Sequence, residues 1–216
     1  CHESAPYGVS LIDARNGSTI FHYDASKDTG RCCAGNVLAS NKGSEFWGAG
    51  SGDVYNGAGN SIGTTRPAQN FLIYWDGDLE REILDGTTIS KMMSTSQIST
   101  LLSADGCASN NSTKSNPCLT ADLFGDWREE LLLRTSDNRA IRVFCTPYTT
   151  DKRITTHMHD PQYRNQVSAE QTSYNQRPHT SFYLGSDASL PARPNGVVDG
   201  TLAAPPKAGG TLKPAY

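Results

Sequence analysis

Apolar and polar positions alternate along residues 7–23, with Val9 and Leu11 before Asn16-Gly17 and Phe21 and Tyr23 after it. A period of two marks half-buried strands, and Asn-Gly between two such runs marks a hairpin. Residues 48–63 hold six glycines, with a short strand at most near Val54-Tyr55. Residues 70–84 read as a strand, an acidic turn and a second strand. Residues 131–134, 140–145 and 182–184 read as further strands. Residues 87–116 are polar and Ser-rich without a clear period, which predicts a long loop. No window sustains a 3.6-residue apolar period, although residues 160–167 have room for one short helical turn.

The acidic turn recurs. Ala121-Asp122-Leu123-Phe124-Gly125-Asp126-Trp127-Arg128-Glu129-Glu130 leads into the apolar run Leu131-Leu132-Leu133. Tyr74-Trp75-Asp76-Gly77-Asp78-Leu79-Glu80-Arg81-Glu82 leads into Ile83-Leu84 on the same frame, 48 residues earlier. Gly43-Ser44-Glu45-Phe46-Trp47 is a worn third copy, 37 residues before Glu82, with Asn36 and Leu38 where aspartates are expected. Repeats of this length, each with a turn and short strands, suggest the blades of a β-propeller.

Hard cations such as Ca²⁺ take oxygens at alternating loop positions, with Gly where the chain bends. On that pattern Asp122, Asp126 and Glu130 are candidate ligands, with the carbonyls of Phe124 and Arg128. Asp76, Asp78 and Glu82 form the matching set. The plainer reading is an acidic surface turn before a strand; the recurrence of the frame favours the metal.

Composition narrows the class. The net charge of −3 over 216 residues gives no basic field for nucleic acid. No stretch approaches the roughly 18 apolar residues of a membrane span. Six cysteines suggest an oxidising compartment and secretion. Cys107 and Cys118 bracket one polar loop and are the expected pair. Adjacent Cys32 and Cys33 are expected to have different partners, with Cys1 and Cys145 as the candidates. No Cys/His spacing suggests zinc. Glycosylation acceptor patterns at Asn16, Asn110 and Asn111 add weak support for secretion. Residues 186–216, rich in Pro, Gly and Ala, read as a tail or linker behind a domain of residues 1–185.

The order of motifs carries a resemblance. Tyr7-Gly8-Val9-Ser10-Leu11-Ile12-Asp13-Ala14, Lys27-Asp28-Thr29-Gly30-Arg31 and Asn70-Phe71-Leu72-Ile73-Tyr74-Trp75-Asp76-Gly77-Asp78 come first. Asn110-Asn111-Ser112-Thr113-Lys114, the second acidic turn and His159-Asp160-Pro161-Gln162-Tyr163-Arg164 follow. Tyr174-Asn175-Gln176-Arg177-Pro178-His179 comes last. The series resembles the C-terminal part of the rhamnogalacturonan lyases of polysaccharide lyase family eleven. That resemblance implies an all-β fold, part of an eight-bladed β-propeller with about three to four blades present and calcium-binding turns.

It also implies calcium-dependent β-elimination in rhamnogalacturonan I, an acidic pectic polysaccharide, at the bond from rhamnose to O4 of galacturonate. The family's Asn-Gly-Thr substrate loop falls on Asn111, Ser112 and Thr113, with Ser112 in place of glycine. If that glycine serves a positive φ, Ser112 is disfavoured there. The family's substrate tyrosine falls on Tyr174, and a metal-associated His-Glu pair on His2 and Glu3. The elimination needs a base for the C5 proton and a neutralised carboxylate. Lys27, Lys114, Arg177 and the histidines are the candidate bases, with Lys114 preferred for its place beside Asn111. The remainder of the propeller, or a second chain, is expected to complete the ring. The competing reading is a non-catalytic, calcium-stabilised propeller segment for glycan binding, adhesion or assembly.

Overall fold

The computed structural model describes residues 1–172 and 177–194. A two-stranded hairpin opens the chain, β1 (Gly8–Ile12) with β2 (Thr19–Asp24). Three four-stranded sheets follow. The first is a meander of β3 (Cys32–Gly35), β4 (Glu45–Gly48), β5 (Val54–Asn56) and β6 (Ser61–Gly63). The second is a meander of β7 (Phe71–Ile73), β8 (Glu82–Asp85), β9 (Thr88–Ser94) and β10 (Gln97–Ser103). The third is built on β13 (Glu130–Thr135), which pairs with β11 (Cys107–Ala108), β12 (Leu119–Ala121) and β14 (Ile141–Phe144). The one α-helix among the described residues, α1 (Pro161–Ala169), starts at Asp160, whose side chain accepts from the Gln162 N–H, with Pro161 in the first turn where its missing N–H costs nothing.

Two apolar layers join the three sheets. Leu72 and Ile83 of the second sheet pack with Cys33 and Trp47 of the first and with Val37 of its β3–β4 connection. Phe71, Ile73, Leu84 and Ile89 pack with Leu131 and Leu133 of the third. Successive residues of a strand point to opposite faces, so β7 feeds both layers and reads as a continuous apolar run. A third cluster joins Tyr74, Leu79, Trp127 and Leu184 at one end of the sheets.

The polar stretch 87–116 is not the loop its composition predicts. It contains β9, β10 and β11. Only Ile89 and Met92 of β9 are fully buried, and β10 lies at the sheet edge with register shifts near Ile98 and Leu102. Bulges of this kind break the period of two on which strand recognition depends. Conversely, residues 182–184 form no strand. They run as an extended segment that buries Leu184 in the third cluster.

The cysteine pairing also differs. Cys1 and Cys32 form the disulfide, whereas Cys107, Cys118 and Cys145 are free and Cys33 is a buried thiol. Cys107 and Cys118 lie on β11 and just before β12, strands that each pair with β13 and are held by that strand's hydrogen bonds rather than by a cross-link. Cys32 and Cys33 do differ in state, because neighbouring residues of a strand face opposite ways.

Candidate active site and acidic turns

The loop after β11 closes on itself. Asn110 and Asn116 exchange backbone hydrogen bonds of 2.7 and 3.0 Å. Within it Asn111 and Ser112 take left-handed backbone, φ 59° and 50°, and start a single 3₁₀ turn over Ser112–Lys114. Asn111, Ser112 and Thr113 are exposed. The Thr113 carbonyl is anchored by the Arg31 guanidinium and by Asn70 Nδ2 at 3.4 Å. Arg31 Nη1 also donates to Asn70 Oδ1 at 2.7 Å, and Asn70 Nδ2 donates to Asp85 Oδ1 at 2.6 Å. The loop is thereby tied to the entry of β3 and to the second sheet.

Beside this anchor lies a small cavity of about 110 Å³, lined by Glu3, Asp28, Arg31, Gln69 and Lys114 among others. The fold thus brings Glu3 and Lys114 together from opposite halves of the chain. Arg31 ends the Lys27-Asp28-Thr29-Gly30-Arg31 motif, whose sequence alone gives it no role. Its signal was its place directly after Asp28-Thr29-Gly30, where Thr29 is fully buried and hydrogen-bonded to the carbonyls of His2 and Gly8.

The other candidate bases are placed differently. Lys27 is exposed. Arg177 is half-buried and donates to the carbonyls of Asn70 and Cys32. His157 and His179 are held neutral: burial, then the nearby Arg81 charge, pushes them down to about 3 and about 2. His2 meets the Pro6 carbonyl through Nδ1 and Ser10 Oγ through Nε2, both at 3.1 Å, so as placed it offers no free ring nitrogen to a metal. Tyr174 lies outside the described residues.

The acidic turns share one device. Glu45 Oε2 accepts from the Val37 and Leu38 N–H groups at 2.8 and 3.2 Å. Glu82 Oε2 accepts from Trp75 and Asp76 at 2.8 and 3.3 Å, and Glu130 Oε2 from Leu123 and Phe124 at 2.8 and 3.1 Å. Each glutamate opens a strand and closes the turn before it. The sheets are stitched at the same frame, by Arg81 N–H to the Asn36 carbonyl at 2.7 Å and Glu129 N–H to the Tyr74 carbonyl at 2.8 Å. The two glycines of the frame serve different ends. Gly125 has φ 77°, while a Cβ on Gly77 would lie 2.4 Å from the Thr149 carbonyl oxygen.

The turns differ as cation sites. Asp76, Asp78 and Glu82 bring three carboxylate oxygens within 4.8 Å of one another, the one such group among the described residues. Lys91 Nζ donates to all three, at 2.5, 2.6 and 2.9 Å. Those carboxylates keep the ammonium charged against its burial, and its hydrogen bond holds Asp76 below the usual carboxylate range although burial opposes it. This set does not fit a divalent ion while Lys91 is in place. In the second turn Arg128 Nη2 takes Asp126 Oδ2 at 2.5 Å. Asp122 gives Oδ2 to Thr156 and the His157 N–H, and its Oδ1 is buried without a partner. An orphaned, buried carboxylate oxygen fits a cation ligand.

The sheets, the turn frame and the loop place the chain in a class: it belongs to the rhamnogalacturonan lyase family 11, whose C-terminal domain matches residues 1–194. Among its relatives are two Bacillus subtilis (strain 168) proteins. The rhamnogalacturonan endolyase YesW is 43% identical over 195 residues, 89% of this chain and 31% of YesW. The rhamnogalacturonan exolyase YesX is 41% identical over 224 aligned residues, 95% of this chain and 37% of YesX. The crystal structure of YesW superimposes with a TM-score of 0.82 over 88% of this chain, and a Bacillus licheniformis rhamnogalacturonan lyase with 0.83 over 89%. The chain spans about a third of the length of the relatives it matches.

Proposed function

We propose that this chain is the C-terminal portion of a pectin-degrading rhamnogalacturonan I lyase and supplies one wall of its substrate cleft. The observation that carries the reading is the convergence of Arg31, Lys114 and Glu3 at one cavity, beside the Asn111 loop whose Thr113 carbonyl Arg31 holds. In the reaction a base takes the C5 proton of galacturonate. The C–H electron pair becomes the C4=C5 double bond, and the C4–O bond breaks with its electron pair going to the oxygen, which stays on rhamnose and takes up a proton. Lys114 is assigned as the base, Asn111, Ser112, Thr113 and Tyr174 as sugar contacts, and Arg31 as a partner for the uronate carboxylate. Calcium bound beside the uronate would neutralise its carboxylate as a Lewis acid.

Structural calcium is assigned to the second turn, at Asp122, Asp126 and Glu130 with the carbonyls of Phe124 and Arg128; the orphaned Asp122 oxygen supports this, and Asp126 would exchange its Arg128 contact for the ion. The three sheets are read as blades of an eight-bladed propeller. Ile141 and Val143 on β14 are 60% and 49% exposed, which supports a further sheet packing on that face. The Cys1–Cys32 disulfide supports secretion.

Binding of rhamnogalacturonan I oligosaccharides to the purified chain tests the site. Asn111→Ala is expected to weaken binding at least tenfold. Binding that is unchanged in this variant would remove the Asn111 loop from the cleft.

A further inference from the structure

The two acidic turns share a frame but differ at the position facing the frame's glutamate from the next strand. β8 and β9 pair Ile83 with Ser90 and Leu84 with Ile89, so the next step sets Glu82 opposite Lys91. β13 and β14 pair Leu131 with Phe144 and Leu132 with Val143, so the same step sets Glu130 opposite Cys145. In the first sheet Glu45 pairs with Asn56. Of the three sheets, the second alone presents a cation at this position.

The geometry at that cation is saturated. An ammonium has three N–H donors, and Lys91 meets three carboxylates with them, one each. Glu82 is fully buried, and the Lys91 and Asp76 side chains are each 14% exposed. A divalent ion held by the three oxygens that Lys91 contacts would lie within a few ångströms of Nζ, by the usual metal–oxygen distances. Two cations cannot share those lone pairs at such a distance.

We infer that Lys91 is the resident cation of the first acidic turn, a tethered ammonium in the place of a divalent ion, so that the second sheet closes without metal. The third sheet has no such lysine, and there an Asp122 oxygen is left buried and unpartnered. Aligned on sequence alone the turns look equivalent; the cross-strand register separates them.

Counting calcium ions on the full chain by native mass spectrometry tests the inference independently of lyase activity. Asp78→Asn, at a half-exposed position, is expected to leave the count unchanged. Lys91→Ala is expected to raise it by one, and adding Asp78→Asn to Lys91→Ala to remove that gain. A count that falls by one on Asp78→Asn alone, or no gain in folded Lys91→Ala, would overturn it. Should Lys91→Ala fail to fold, amine-reactive labelling of the unaltered chain decides. Lys91 is expected to react slowly with or without saturating calcium; faster labelling in calcium would mean that the ion displaces it.

Discussion

Ser112 stands at φ 50° in the loop that anchors on Arg31, with Asn111 at φ 59° before it. Left-handed backbone is tolerated by asparagine but disfavoured for serine by roughly 1 kcal/mol. Ser112→Gly is therefore expected to raise the unfolding free energy by up to about 1 kcal/mol, read from the denaturant midpoint at constant slope. A loss of stability would show that the serine side chain contributes to the loop. Glu170 makes a pH-dependent contribution. It is fully buried, accepts from the Thr120 N–H and hydroxyl, and burial pushes its carboxyl up to about 8. A carboxyl raised on folding binds its proton more tightly in the native state. Its contribution is present below the ordinary glutamate range and is lost as pH rises toward about 8. Glu170→Gln is expected to flatten the fall in thermal midpoint over that window; an unchanged profile would count against it.

At the scale of elements, the strand-opening glutamates organise each sheet junction. Removing Glu82 orphans two backbone N–H groups and leaves Lys91 with two carboxylates, whereas removing Glu45 orphans N–H groups and no charge. Breaking a buried charge pair costs about 3–5 kcal/mol, and an unsatisfied neutral donor about 1–3. Glu82→Ala is thus expected to destabilise more than Glu45→Ala in chemical denaturation, and equal losses would contradict the ion pair. This frame was legible in the sequence because its glutamate and the following apolar run recur at fixed offsets, even in the worn copy at Glu45. Lys91 was not legible. Its partners lie 9 to 15 residues away across a turn and a strand pair, and only the register joins them. β10 was hidden because its polar, bulged sequence lacks the alternation of a half-buried strand.

At the scale of the molecule, the repeat and the motif order were enough to read an all-β chain of this family. The sheet stacking explains why. Leu72 and Ile83 face one neighbour while Phe71, Ile73 and Leu84 face the other, so each apolar run must recur in every sheet. The gathering of Glu3, Arg31 and Lys114 was not legible, since it depends on how the first sheet meets the loop after β11. The matched relatives are about three times as long as the aligned region, so the lyase reading concerns a site shared with other segments. The most direct test replaces the aligned C-terminal region of YesW with this chain and follows the absorbance of unsaturated uronate on rhamnogalacturonan I. The chimera is expected to release unsaturated product and to lose at least a hundredfold in rate on Asn111→Ala. A chimera that unfolds cooperatively yet releases no unsaturated product would contradict the proposal that this chain builds a wall of a lyase cleft.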